Sequence, residues 1–378
     1  MKKHYGHANL KDKPYFYTPL PSAFQKTAPA SHAAYQTDKL NGEITGTIVA
    51  RSPIHVASGL IVPWADLSRY GDIHSQTQPA LVAAHFRVNN RRAIPASSLK
   101  GVFRSIVEAI SYSCPEFEIK KKSGKHRGVR VVDISAEHHR CRIDTVQDLK
   151  NNQLCPACRI FGGISGSGDS KGKGGYLGNV NFSDARQENS DGSIFDRMPL
   201  YGPQPSYSQA LPRKRTGYKL YFQDSAKTEP LGRKFYKVGI PHPKIGGKYE
   251  PVEVCDANST FRLQIRFENL TPGELGLLLM ALGRSSPEAF ALKLGGGKPV
   301  SLGTFQVNIT GLTQFDTQTA WDKYEPEESL IDDLAKINEY VQAAHNEGLL
   351  YQAGWDKLTQ IWRYPPQDPC PGGDDQSY

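Results

Sequence analysis

Long apolar runs are missing from this sequence of 378 residues. The longest, Leu275 to Leu282, falls far short of the roughly 20 residues a membrane span needs. No membrane partner is expected. Met1 to His7 carries two lysines with no apolar segment behind them, which argues against a secretory leader. Cysteine is scarce too: six residues cannot supply a disulfide framework for so long a chain, and Cys155 and Cys158 are separated by only two residues. That usage suits a reducing cytoplasm.

Acid is missing where base collects. The formal charge is +8, and between Lys120 and Arg130 there are six Lys or Arg and no Asp or Glu. Arg213, Lys214, Arg215 and Lys219 form a second cluster, interleaved with Tyr218, Tyr221 and Phe222. Basic segments mixed with aromatics suit a polyanion whose bases can stack. A solvated charged face is the plainer alternative for either run. The sign reverses at Glu325, Glu327, Glu328, Asp332 and Asp333.

Residues 1–40 show no sustained period and read as an irregular arm. Asn41 to Ala57 has the β-branched alternation of a strand. Ser97 and Ser98 offer an N-cap to a helix with Val102, Phe103, Ile106, Val107 and Ile110 on one face. Thr260 to Phe267 alternates Phe261, Leu263, Ile265 and Phe267, a half-buried strand. Thr271 to Glu274 spells a capping box with proline at the first helical position, opening a helix through Leu275, Leu278, Leu279 and Leu282. Thr304 to Leu312 reads as a last strand. The pattern predicts an α+β fold, a ferredoxin-like palm over residues 41–312 with large insertions at about 111–255. Residues 313–378 form a C-terminal helical segment and tail. Its helix runs from Ser329, and Leu330, Leu334, Ile337, Val341 and Ala344 make a stripe that packs on the body.

The helix opened by Ser97 and Ser98 combines a turn, a free N-terminus and two cations one turn apart, Lys100 and Arg104. Free N–H groups and a partial positive charge there suit a phosphate. An ordinary capped helix with surface cations is the alternative. Cys155 and Cys158 have the spacing of half a tetrahedral zinc site. Cys114 and Cys141 complete four soft ligands, or His139 stands in for Cys114; buried free thiols are the alternative.

Pro95 to Arg104 (Pro-Ala-Ser-Ser-Leu-Lys-Gly-Val-Phe-Arg) resembles the P-G-S-S-L-K-G-x-x-R element of RAMP-superfamily subunits in type III CRISPR complexes. Arg51 to Gly59 is similar to the end of that family's first strand. Cys155 to Gly162 matches its C-P-x-C-x-x-F-G element, and Leu294 to Gly303 stands where it has a glycine-rich loop. Leu231 to Tyr236 looks like a signature of the III-D branch. Pro299, Val300 and Ser301 depart from the loop's usual glycine or arginine.

The resemblance implies an RRM-type palm, a zinc-binding element and a β-hairpin thumb, with Leu211 to Phe222 and its Arg213, Lys214 and Arg215 as the thumb candidate. It implies a backbone subunit binding CRISPR RNA and target RNA beside other RAMP and large-subunit proteins. Lys100, Gly101 and Arg104, next to Ser97 and Ser98, would meet guide phosphates. Gly295, Gly296 and Gly297, followed by Lys298, would admit RNA backbone closely. Target cleavage in such subunits depends on a loop aspartate holding Mg or Mn at the scissile phosphate. Asp72 and Asp66 are the candidates here, with His74 and His85 for acid–base steps; a subunit that only binds is the alternative. A CRISPR precursor-processing endoribonuclease and a zinc-containing nucleic-acid-binding protein outside CRISPR are the competing functions.

Overall fold

The computed structural model describes residues 14–69, 73, 78–114, 141, 153–164, 175–189, 192–197, 220–222, 230–241, 250–284, 290–316, 328–330 and 334–366. Strands β1 (Tyr15–Thr18), β2 (Leu40–Ala50) and β3 (Ala57–Pro63) lead to a short helix α1 (Trp64–Ser68), β4 (Leu81–His85) and helix α2 (Ala96–Ile110). Helix α3 (Pro156–Phe161) precedes β5 (Val180–Phe182), β6 (Gly192–Arg197), β7 (Leu220–Phe222), β8 (Pro230–Tyr236), β9 (Glu250–Cys255) and β10 (Thr260–Leu270). Then come α4 (Pro272–Ala281), β11 (Leu292–Lys293), β12 (Thr304–Phe315), β13 (Glu328–Leu330), α5 (Leu334–Asn346) and α6 (Gln352–Ile361).

The main sheet is antiparallel in the order β11-β12-β2-β10-β5, with β13 also on β12. Strand alternation decides its faces. Phe261, Leu263, Ile265 and Phe267 of β10, with Ile44, Ile48 and Ala50 of β2, turn inward, while Arg262 and Arg266 face solvent. Onto the apolar face α2 sets Leu99, Phe103, Ile106 and Ile110. The Phe103 ring stacks on Phe182 at 5.6 Å and meets Phe305 edge-on at 6.4 Å. Each such buried side chain contributes about 2 kcal/mol, so this junction fixes α2 on the sheet.

The capping box forms as its sequence predicts: Thr271 Oγ1 accepts the Glu274 N–H at 3.1 Å, and Glu274 Oε2 accepts the Thr271 N–H at 3.0 Å. Such a cap contributes about 1 kcal/mol. Glu347, just past α5, accepts from the Gly273 N–H and the Thr271 hydroxyl, each at 2.7 Å. Helix α5 lies so close to α4 that a Cβ on Gly276 would stand 2.0 Å from the Tyr340 carbonyl oxygen. Ile337, Tyr340, Val341 and Ala344 are buried, so this helix packs on the protein's own body.

Several expectations are corrected. The supposed irregular arm contains β1, which is buried and pairs antiparallel with β8. The strand expected from Asn41 to Ala57 stops at Ala50, because the chain turns through Arg51, Ser52 and Pro53. Ser97 and Ser98 are not the cap of α2: the helix starts at Ala96, after Pro95, with no side-chain cap from its own N-cap residue. Ser329 and Leu330 are strand, paired with Gln314 and Thr313 of β12, and the last stripe begins its helix at Leu334. The long middle region is more than an excursion, since it supplies β5 at the edge of the main sheet.

Among the described residues four smaller sheets accompany the main one. One of them runs β6-β9-β4-β3, with β9 parallel to β4; another runs β1-β8-β7. In the first, Glu253 is fully buried and is held by ion pairs to Arg87 and Arg92. Among the described residues no helix is long and apolar enough to cross a membrane.

Candidate metal centre and nucleic-acid interface

Cys114 follows α2, Cys155 is the N-cap residue of α3, and Cys158 lies within that helix. With Cys141 they form a buried group whose sulfurs all lie within 4.8 Å of one another. Cys155 to Cys114 is 3.5 Å, Cys114 to Cys141 is 3.7 Å, and Cys114 to Cys158 is 3.8 Å. A tetrahedron with metal–sulfur bonds of about 2.3 Å has sulfurs roughly 3.8 Å apart; a disulfide would need about 2.05 Å. The set fits a metal such as zinc, and a thiol donor set with four members leaves no open position for substrate. Backbone N–H groups of Cys141 and Cys155 donate to the sulfurs of Cys114 and Cys141, at 3.3 Å each. Burial raises the Cys155 thiol, but hydrogen bonds from Cys114, Cys141 and Cys158 outweigh it and hold it well below the usual range. Hydrogen bonding to Cys141 and Cys155 pushes Cys114 well above it. His139, the alternative ligand, lies outside the described residues.

The first turn of α2 lies at the end of the helix opposite Cys114. Its leading N–H, that of Ala96, is taken by the Asp184 carboxylate at 2.7 Å, a cap supplied from 88 residues away. Lys100 is half-buried and donates to the Val180 carbonyl at 3.0 Å; burial, then the neighbouring Arg104 charge, lowers its pKa. Ser97 and Gly101 are exposed on adjacent turns, and a Cβ placed on Gly101 would meet nothing within 4 Å. Arg104 turns inward instead: Nε donates to Glu108 Oε1 and Nη1 to the Gly162 carbonyl, both at 2.7 Å.

The glycine-rich loop docks on the other predicted element, Arg51 to Gly59. The Gly296 N–H donates to the His55 carbonyl and the Gly303 N–H to that of Pro53, both at 2.8 Å. Ser52 Oγ donates to the Ser301 carbonyl at 2.8 Å and accepts the Thr304 N–H at 2.9 Å. Gly295 and Gly297 have φ of 73° and 72°, where a side chain is strained. A Cβ on Gly295 would stand 2.3 Å from the His55 oxygen, so this glycine has a reason within the fold itself. Lys298 is half-buried and opens a 3-10 turn.

The cleavage candidates separate. Asp66 is exposed in α1 and pairs with Arg69 at 3.7 Å. Among the described residues, the groups of three or more metal-type donors do not include it. Asp72 and His74 lie outside the described residues, as do Arg213, Lys214 and Arg215. His85 is no loop acid–base group. It ends β4, is 1% exposed, and burial drives its pKa from the usual 6.5 to about 3.

Sequence reading missed the buried ion pairs. Glu108 pairs with both Arg104 and Arg233, and Glu274 accepts from Arg159 at 2.5 Å, tying α3 to the cap of α4. Their spacing of four on α2 exposes the Arg104–Glu108 pair to inspection, but Arg233 lies far along the chain.

Compared with known proteins, the sequence has no match among the curated ones. The sequence profile of the RAMP superfamily matches residues 47–306, well over half of the chain. That span contains α2, all four clustered cysteines and the glycine-rich loop, and by it the chain belongs to the RAMP superfamily, which includes CRISPR-associated RNA-binding proteins.

Proposed function

We propose that this protein is a CRISPR RNA-binding backbone subunit of a type III effector complex, of the III-D branch, acting in the cytoplasm. In this reading the strands β2, β5, β10 and β12 with helices α2 and α4 are a ferredoxin-like, RRM-type palm. The sheet order β12-β2-β10-β5, last strand, first, third and second, supports it. Zinc held by Cys114, Cys141, Cys155 and Cys158 is structural and fastens the end of α2 to α3; no chemistry passes through it. The basic residues Arg213, Lys214 and Arg215 belong to the thumb.

The observation that carries the reading is Gly101. A glycine inside an exposed helix costs about 1 kcal/mol relative to alanine, and nothing in the described fold occupies the space its Cβ would take. The open surface of Ser97 and Gly101, with Lys100 at its side, suits the close approach of a guide phosphate. Lys298 and the loop of Gly295 to Gly297 offer a second backbone contact.

Gly101→Ala and Gly101→Glu test this. Alanine should raise stability by about 0.5–1 kcal/mol, and glutamate should reduce co-purifying short RNA at least tenfold. RNA of defined 5′ sequence retained at the wild-type level by the glutamate variant would sink the reading. A precursor-processing enzyme is set apart by cleavage of repeat RNA by the protein alone.

A further inference from the structure

Arg104, Glu108 and Arg233 form a chain of ion pairs that ends on a cysteine sulfur. Arg104 Nη2 lies 3.7 Å from Cys158 Sγ, its Nε donates to one oxygen of Glu108, and Arg233 takes the other. Glu108 and Arg233 are buried, and the Arg104 side chain is 18% exposed. Among the described residues, two guanidinium groups on one carboxylate leave one positive charge unbalanced, and Lys100 beside Arg104 adds to it. Buried charge of one sign requires a counter-charge nearby. Four neutral thiols cannot provide it. Four thiolates around a divalent ion carry two negative charges. By contrast, Arg159 on α3 is already balanced by Glu274.

We propose that Arg104 is a positioning residue of the metal centre: its guanidinium donates to the Cys158 thiolate, and through Glu108 and Arg233 it ties metal occupancy to strand β8. This rests on the zinc reading above, and it takes Arg104 away from the guide phosphate that its motif suggests. Strand β8 pairs with β1 on one side and with β7 on the other, and β7 is the end of the basic, aromatic segment Leu211 to Phe222. A loaded metal centre therefore holds the root of that segment. Neutralising thiolate charge from outside the ligand set is worth about 10- to 100-fold in metal affinity.

The experiment measures zinc affinity by chelator competition on the full-length protein, with cobalt substitution to read the thiolate-to-metal absorption. Arg104→Gln should weaken zinc 10- to 100-fold and shift the cobalt band at unchanged stoichiometry, with Arg104→Lys in between. Amide exchange across Arg233 to Tyr236 should speed up in zinc-stripped wild type and be already fast in Arg104→Gln. If Arg104→Gln fails to fold, the lysine variant carries the same affinity and spectral comparison. Unchanged zinc affinity and cobalt spectrum, with RNA binding lost instead, overturn the proposal and return Arg104 to the RNA. A wild type that binds no zinc refutes the metal reading itself, an outcome distinct from equal affinity in wild type and variant.

Discussion

The Asp184 carboxylate accepts the Ala96 N–H at 2.7 Å, so an acid occupies the helix end on which a phosphate was expected. Capping and the helix dipole both favour that contact, and its loss should cost about 1 kcal/mol. Asp184→Ala also removes a negative charge from the proposed RNA surface. We expect lower stability in urea together with tighter RNA binding at low salt. Weaker RNA binding would mean that the capped geometry, not the free N–H, is what RNA needs.

Lys100→Ala should weaken guide binding to a similar degree whatever the spacer sequence, because phosphate contacts carry no sequence information. The slope of log affinity against log salt should shrink by about one. Electrophoretic or fluorescence titration across a salt series measures both quantities, and an unchanged slope would remove Lys100 from the interface.

About one zinc per chain is expected by elemental analysis, and Cys155→Ser should abolish it and lower the unfolding midpoint. Cys255→Ser should leave the stoichiometry intact, since Cys255 is not in the group of four sulfurs and lies instead 3.6 Å from His85 Nε2.

His85 supplies a pH dependence. Its Nδ1 lies 2.9 Å from the Phe86 carbonyl, which can only accept, so the proton sits there and Nε2 faces the Cys255 thiol. Burial first, then the charges of His55, Arg92 and Arg87, depress the folded pKa from 6.5 to about 3. The unfolded chain thus takes up the proton first as pH falls. This contribution is complete above pH 6.5 and is lost progressively from there down to about pH 3, amounting to about 2 kcal/mol by pH 5. Denaturant titrations at pH 7 and 5 should show that loss in wild type, and His85→Gln should remove this part of it.

Target cleavage by this subunit is a separate question with a direct answer. Asp66→Ala should leave every cut in place, because Asp66 is exposed and engaged with Arg69. Asp72→Ala in the assembled complex should remove one cut without changing target binding. A full cleavage pattern in both variants makes the subunit a scaffold at that position.

What could be read in advance was local chemistry. The Thr271–Glu274 box joins residues three apart, and the alternation from Phe261 to Phe267 is its own burial pattern. Cys155 and Cys158 mark a candidate ligand pair by type and spacing, and they do come together with Cys114 and Cys141. What could not be read was nonlocal or short. Strand β5 has three residues and β1 four, too few for any period, and each exists because a distant strand accepts its hydrogen bonds. Ser329 and Leu330 continue a helical stripe by spacing, yet β12 captures them as strand. His85 read as a loop residue only because β4 was missed. Asp184 carried no cap signature at all, since its helix starts 88 residues earlier.

Strand β2 lies between β10 and β12, and its first neighbour to be synthesised pairs Thr260 with Val49, about 210 residues later. At 5–20 residues per second, roughly 10 to 40 s pass in which an 11-residue strand with one apolar face has neither edge satisfied. Such an edge is a template for foreign strands. Ribosome-bound chains halted before Thr260 should therefore be the species that chaperones retain, and those released past Phe315 the first to escape them.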